Sequence, residues 1–97
     1  MATYISLLKF TKEGIENIKE SPTRLDNARR AFQACGGEMQ AFYLVMGQYD
    51  AVVISKAPDN ISAAKVSLLV GSAGAVRTET LTAFEESEYR EIIDALP

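Results

Sequence analysis

Apolar and polar positions along the chain switch between two rhythms, one suited to strands and one to helices. Residues 3–10, TYISLLKF, are β-branched, aromatic and aliphatic, with lysine only near the end, and predict a first strand. Thr11 is placed to N-cap a helix, with Glu13 in the first turn, where the helix dipole favours an acid. Ile15 and Ile18 share a face by i,i+3 spacing. Ser21-Pro22 then intervenes. Proline is tolerated at a first helical position and costly inside a helix, so the region divides into a short helix over 12–20 and a longer one over 22–35. In the second, Leu25, Ala28, Phe32 and Cys35 make one apolar stripe, and Gly36-Gly37 ends it.

Two further strand-like runs, 38–46 and 49–56, are separated by Gly47-Gln48, a hairpin-length connector. A two-residue turn there sets Met46 opposite Tyr49, Leu44 opposite Ala51 and Phe42 opposite Val53. Tyr43, Val45, Val52 and Ile54 then lie on the other face. Both faces of this hairpin are apolar, and the chain's own helices can cover only one. Pro58-Asp59-Asn60 opens another helix, with Asp59 or Asn60 as cap, and Ile61, Ala64 or Lys65, and Leu68 mark its expected buried side. Gly71-Ser72-Ala73-Gly74 stops it. Residues 75–84 alternate best of all and predict a fourth strand, and Tyr89, Ile92, Ile93 and Leu96 fit a short amphipathic C-terminal helix. The order β-α-β-β-α-β with a trailing helix predicts a ferredoxin-like α+β fold: a four-stranded antiparallel sheet with helices on one face.

Composition narrows the functional range. The 97 residues suit one domain spanning 1–97, and 47% hydrophobic with 24% charged residues is ordinary for a soluble globular chain. No His is present, which removes imidazole bases and His metal ligands, and the single Cys excludes an intramolecular disulfide or a Cys-built metal cluster. A net charge of −3 argues against a nucleic-acid binder. The densest basic group, Arg24, Arg29 and Arg30, is interrupted by Asp26 and reads as a solvated helix face. MATYISLLKF lacks the basic start and long apolar run of a signal peptide, and no stretch approaches the ~20 apolar residues of a membrane span, so a cytoplasmic protein without a membrane partner is expected.

Gly47-Gln48-Tyr49-Asp50 resembles the Gly-x-Tyr-Asp signature of the GYD domain family. Leu8-Lys9-Phe10-Thr11 with Glu13-Gly14, Glu20-Ser21-Pro22 with Arg24-Leu25, Gly36-Gly37, Phe42-Tyr43, Gly71-Ser72 and Val76 to Leu81 extend the likeness over nearly the whole chain. Gln48, often acidic in such proteins, and Ala75, where a polar residue is expected, depart from it. The resemblance implies a ferredoxin-like subunit that pairs sheet to sheet as a dimeric α+β barrel. It implies no settled activity, and fold alone does not supply one.

Candidate chemistry is sparse. Tyr49 and Asp50, neighbours in a strand, point to opposite faces and cannot form one acid–base pair on one subunit. Asp50 suits a structural role accepting N–H bonds from a turn or a helix, and Tyr49 either covers the barrel mouth or lines a pocket. Thr78, Thr80 and Thr82 share a face, expected to be the open one if Leu81 and Ala83 seek the helices. By the same alternation Arg77 and Glu79 point toward the helix layer. Cys35, at a helix C-terminus without a base, reads as packing rather than a nucleophile. The glycines match no phosphate-binding loop. No catalytic residue, metal site or cofactor is expected. The leading reading is a homo-oligomeric small-molecule-binding or regulatory protein with a pocket between paired sheets, lined by Tyr4, Phe42, Tyr49, Asp50, Thr78 and Thr80. A cofactor-free enzyme, monooxygenase-like or isomerase-like, on a small hydrophobic substrate, and a purely structural interaction module are the alternatives.

Overall fold

A computed structural model describes residues 1–97. Its elements are β1 (Ala2–Phe10), α1 (Lys12–Glu16), a 3-10 turn (Ile18–Glu20), α2 (Ser21–Ala34), β2 (Glu38–Leu44), β3 (Ala51–Ala57), α3 (Asn60–Ser72), β4 (Val76–Ala83) and α4 (Glu86–Asp94). The four strands pair antiparallel in the order β2-β3-β1-β4, the ferredoxin-like arrangement, with α2 and α3 on one face.

Local chemistry sets the boundaries. The Thr11 hydroxyl accepts from Gly14 N–H (3.1 Å) and donates to the Gly74 carbonyl (2.6 Å), so one side chain caps α1 and ties it to the turn before β4. Thr11 N–H donates to the Ala75 carbonyl (3.0 Å), and α1 lies so close there that a Cβ on Gly14 would overlap the Ala75 oxygen. Only glycine permits that approach. The Asp59 carboxylate accepts from Ser62 N–H (2.8 Å) and caps α3, and those donors hold the Asp59 carboxyl below the usual carboxylate range. Pro22 falls in the first turn of α2, as its missing N–H requires, and the segment before it contracts to α1 plus a 3-10 turn in place of one helix over 12–20.

The β2–β3 connection is longer than a two-residue turn. Leu44 and Phe42 face Ala51 and Val53 as expected, but pairing stops there, and residues 45–50 form a loop closed by Val45 N–H on the Asp50 carbonyl (2.9 Å). Met46 and Tyr49 do not pair, and Met46 is 98% exposed. The cause is Asp50, drawn sideways onto β1. Its N–H donates to the Leu8 carbonyl (2.8 Å), and its Oδ2 accepts from Phe10 N–H (2.9 Å). Gly47 turns the loop at φ +130°, a conformation an L side chain rarely adopts.

β1 sets the two faces of the sheet. Tyr4 and Ser6 are buried on the helix side, beside Ala51, Val53, Ser55 and Ala57 of β3. The register Tyr4–Thr82, Ser6–Thr80 and Leu8–Thr78 carries the β4 threonines to that same side. This reverses the expected phase: Arg77, Glu79, Leu81 and Ala83 lie on the open face. Two charged groups prefer the wetter side more strongly than Leu81 prefers the drier one. The phase of α3 also differs. Ala63 and Val66 are buried, while Ile61 and Leu68 are exposed. A helix apolar nearly all round carries little sequence signal for its inner face, and small residues let it approach the sheet closely.

Only 11 of 97 residues are buried. Every residue from Phe84 to Pro97 is exposed, and α4 buries none of its apolar stripe. The radius of gyration is 14.6 Å. A compact domain of this length has about 12.5 Å, and the difference fits a helix standing off the body.

Candidate functional site

The open face of the sheet is built in rows. One apolar row runs across all four strands: Ala41, Ile54, Ile5, Leu81. The next is Tyr43, Val52, Leu7, Glu79. No element of the chain covers them, and Tyr43 and Leu81 remain 57% and 44% exposed. Each row is continuous because the strand register places these side chains directly opposite one another, and the pleat puts them all on one face.

Charged groups close this surface at both ends. Beyond the Glu79 row, Lys9 pairs with Arg77. The Tyr49 ring folds over this end from the β2–β3 loop, with Lys9 Nζ 5.4 Å from its centroid. The Tyr49 hydroxyl donates to Glu79 Oε2 (2.7 Å), spanning from one connection of the sheet to its far edge strand. That bond to a carboxylate is the main reason the Tyr49 phenol is pushed above its ordinary pKa. At the opposite end, Glu85 Oε1 accepts from Lys56 Nζ (2.8 Å) and from the Thr3 hydroxyl (3.3 Å). Lys56 holds the Glu85 carboxyl below the usual range, and Glu85 in turn raises Lys56. This clamp sets the point from which α4 departs. The Glu88 carboxylate accepts from Glu85 N–H (3.0 Å) and caps the helix.

The six residues expected to line one pocket do not gather in one place. Tyr49 and Asp50 sit in the loop rather than in a strand. Tyr49 reaches the rim of the open face, while Asp50 fastens the loop to β1. Tyr4 is buried under α3, its hydroxyl donating to Asn60 Oδ1 (2.6 Å), and burial followed by the nearby Asp59 charge raises its pKa. Thr80 shares hydrogen bonds with Ser6 and Ser67 (both 3.1 Å), which locks α3 to the sheet. Thr78 borders a small polar notch with Thr11 and Gly74. Phe42 alone lines a large apolar cleft, of about 400 Å³, and that cleft lies on the helix side between α2, α3 and the sheet. Sequence reasoning misses Lys9, Arg77 and Glu79 as open-face residues, and the two charges in β4 are the signal that could have found them. No three acidic or thiol side chains converge as a metal would require.

A family model described as the GYD domain matches residues 4–93. The glutamine synthetase and cystathionine beta-lyase binding protein of Thermus thermophilus is 33% identical over 84 residues, 86% of this chain and 88% of the relative. Among solved structures, TTHA0845 from Thermus thermophilus superposes with a TM-score of 0.56 at 25% identity, covering 88% of this chain and 95% of that one. FFRP-DM1 gives 0.61 at 15% identity, with coverage of 87% and 100%. The leucine response regulatory protein of Mycobacterium tuberculosis gives 0.57 at 13%, with coverage of 87% and 51%. The last two likenesses concern the fold alone.

Proposed function

The chain belongs to the GYD domain family, and from that premise we propose that it acts as a single-domain, homo-oligomeric binding protein of the cytoplasm. In this reading the protein catalyses no reaction of its own. Another copy closes its open sheet face, and the assembly engages a metabolic enzyme. The observation that carries the reading is the apolar row Ala41–Ile54–Ile5–Leu81, four strands wide and uncovered. Contiguous apolar surface rimmed by charge marks an interaction site. A flat face of this kind suits a second identical sheet, because a two-fold interface is self-complementary by construction. The Tyr49–Glu79–Lys9 group would then edge that interface, where exposed charges set orientation more than affinity.

The enzyme partner is supported by the Thermus thermophilus relative, which is named for binding glutamine synthetase and cystathionine beta-lyase. Two linked measurements test the proposal. Light scattering should give a multiple of the monomer mass at micromolar concentration. Calorimetric titration against glutamine synthetase and cystathionine beta-lyase from the same host should give saturable binding to at least one. A clean monomer removes the sheet pairing, and no heat with either enzyme removes the proposed partner class.

A further inference from the structure

We infer that the cleft between α2, α3 and the sheet is a binding site for a small apolar monocarboxylate, distinct from the open face and independent of assembly. Fourteen of its eighteen lining residues are hydrophobic, and Leu8, Phe42 and Val53 form its floor. Leu25 of α2 and Val70 of α3 form its walls. The space exists because α2 presents Ala28 and Ala31 where larger side chains would meet the sheet. Phe42, Leu25 and Leu8 are consequently only half-buried. A volume of about 400 Å³ lies within the range of small-molecule sites. At ~30 Å³ per water-sized group, it takes roughly a dozen non-hydrogen atoms. Water against these mostly apolar walls finds few partners, and removing that apolar surface from water is favourable. The occupant that does so is apolar.

Arg24 supplies the second half of the recognition. It is the single charged residue lining the cleft. Its Nη1 donates to the Asn17 carbonyl (3.1 Å) and its Nη2 to the Gly14 carbonyl (3.4 Å), which fixes the guanidinium in place. Its one carboxylate neighbour, Glu20, stands 3.9 Å away, a loose pair. Arg24, its side chain a quarter exposed and its charge loosely neutralised, favours a carboxylate head group on an apolar body. The chain's own α4 cannot fill the cleft. It departs from the Lys56–Glu85 clamp at the far end of β3, whereas the cleft opens beside Ala51 and Phe10.

The test uses the full chain, with sodium octanoate and octan-1-ol as probes and methyl NMR shifts as the readout. Octanoate should bind saturably, shifting the methyl signals of Leu25, Val53 and Val70, and more tightly than octanol. Arg24→Gln should weaken octanoate about tenfold while leaving octanol within twofold. Ala28→Leu, which fills the space, should abolish both, with thermal melting confirming that the variant is folded. No saturable shift up to millimolar octanoate overturns the site. Equal affinity for the two probes, or indifference to Arg24→Gln, overturns the carboxylate assignment. Binding that survives Ala28→Leu places the ligand elsewhere and overturns the cleft. Contacts in the cleft from another copy's Ile92 or Ile93, with no octanoate binding, overturn it in favour of that helix.

Discussion

Leu81 gives the most direct handle on the open face. It sits opposite Ile5 in the apolar row and keeps 44% of its surface in water in the isolated chain. Fully burying a leucine side chain is worth about 1.5–3 kcal/mol, so covering this remainder contributes about 1 kcal/mol per protomer. A two-fold interface repeats every substitution, which makes Leu81→Ala cost about 2 kcal/mol per dimer, or roughly 30-fold in Kd. Leu81→Asp also buries an unpaired carboxylate twice and should leave monomer throughout the micromolar range. Sedimentation equilibrium over a dilution series measures both. Thermal melting of dilute samples reads the separate cost to the single chain, where over half of the Leu81 surface is already buried against its own sheet. Leu68→Ala is the control: it deletes the same group from the outer face of α3, where Leu68 is exposed, and should leave Kd within threefold. Pairing through this face is refuted if Leu81→Asp keeps the oligomer mass, or if Leu68→Ala disrupts it as much as Leu81→Ala.

Other sites test the same logic. Gly14→Ala drives a methyl group into the Ala75 carbonyl and should lower stability by about 1–3 kcal/mol, seen as a reduced urea midpoint at unchanged m-value. Asp50→Ala removes the acceptor for Phe10 N–H and should cost about 1.5–3 kcal/mol, whereas Asp50→Asn, which keeps an oxygen there, should recover part of it; equal losses would refute the hydrogen-bond account. Lys56 depresses the Glu85 pKa, so the clamp stabilises the fold at neutral pH and loses that contribution as pH falls from the ordinary glutamate range through the lowered Glu85 value. Carbon-detected NMR titration of Glu85 should give a midpoint below that of an unfolded-chain glutamate, and Lys56→Met should raise it.

Legibility in the sequence tracks how sharply each segment breaks its own symmetry. Thr11 and Asp59 announce their helix starts because a short polar side chain before an apolar period has one economical use. β1 and the pairing of Phe42 with Val53 are readable from strong strand composition. The phase of β4 is misread because Leu81 and Ala83 share a set with Arg77 and Glu79, and weighting the two apolar residues above the two charges sends that set to the wrong side. The phase of α3 is hidden because the helix is apolar on almost every side. The six candidate residues disperse because Tyr49 and Asp50 occupy a loop whose path is fixed by contacts to β1, and no local pattern encodes those. The helix-side cleft is invisible for a different reason: it arises from what alanines leave unfilled between elements, and spacing along the chain does not report volume.

The detached α4 has a practical corollary. Nine residues are too few to hold a helix in water without a surface to lie on, so this segment's order depends on company. Trypsin should therefore cut after Arg90 quickly in dilute samples and slowly in concentrated ones. The chain would thus carry at its tail a gauge of how many of its kind surround it.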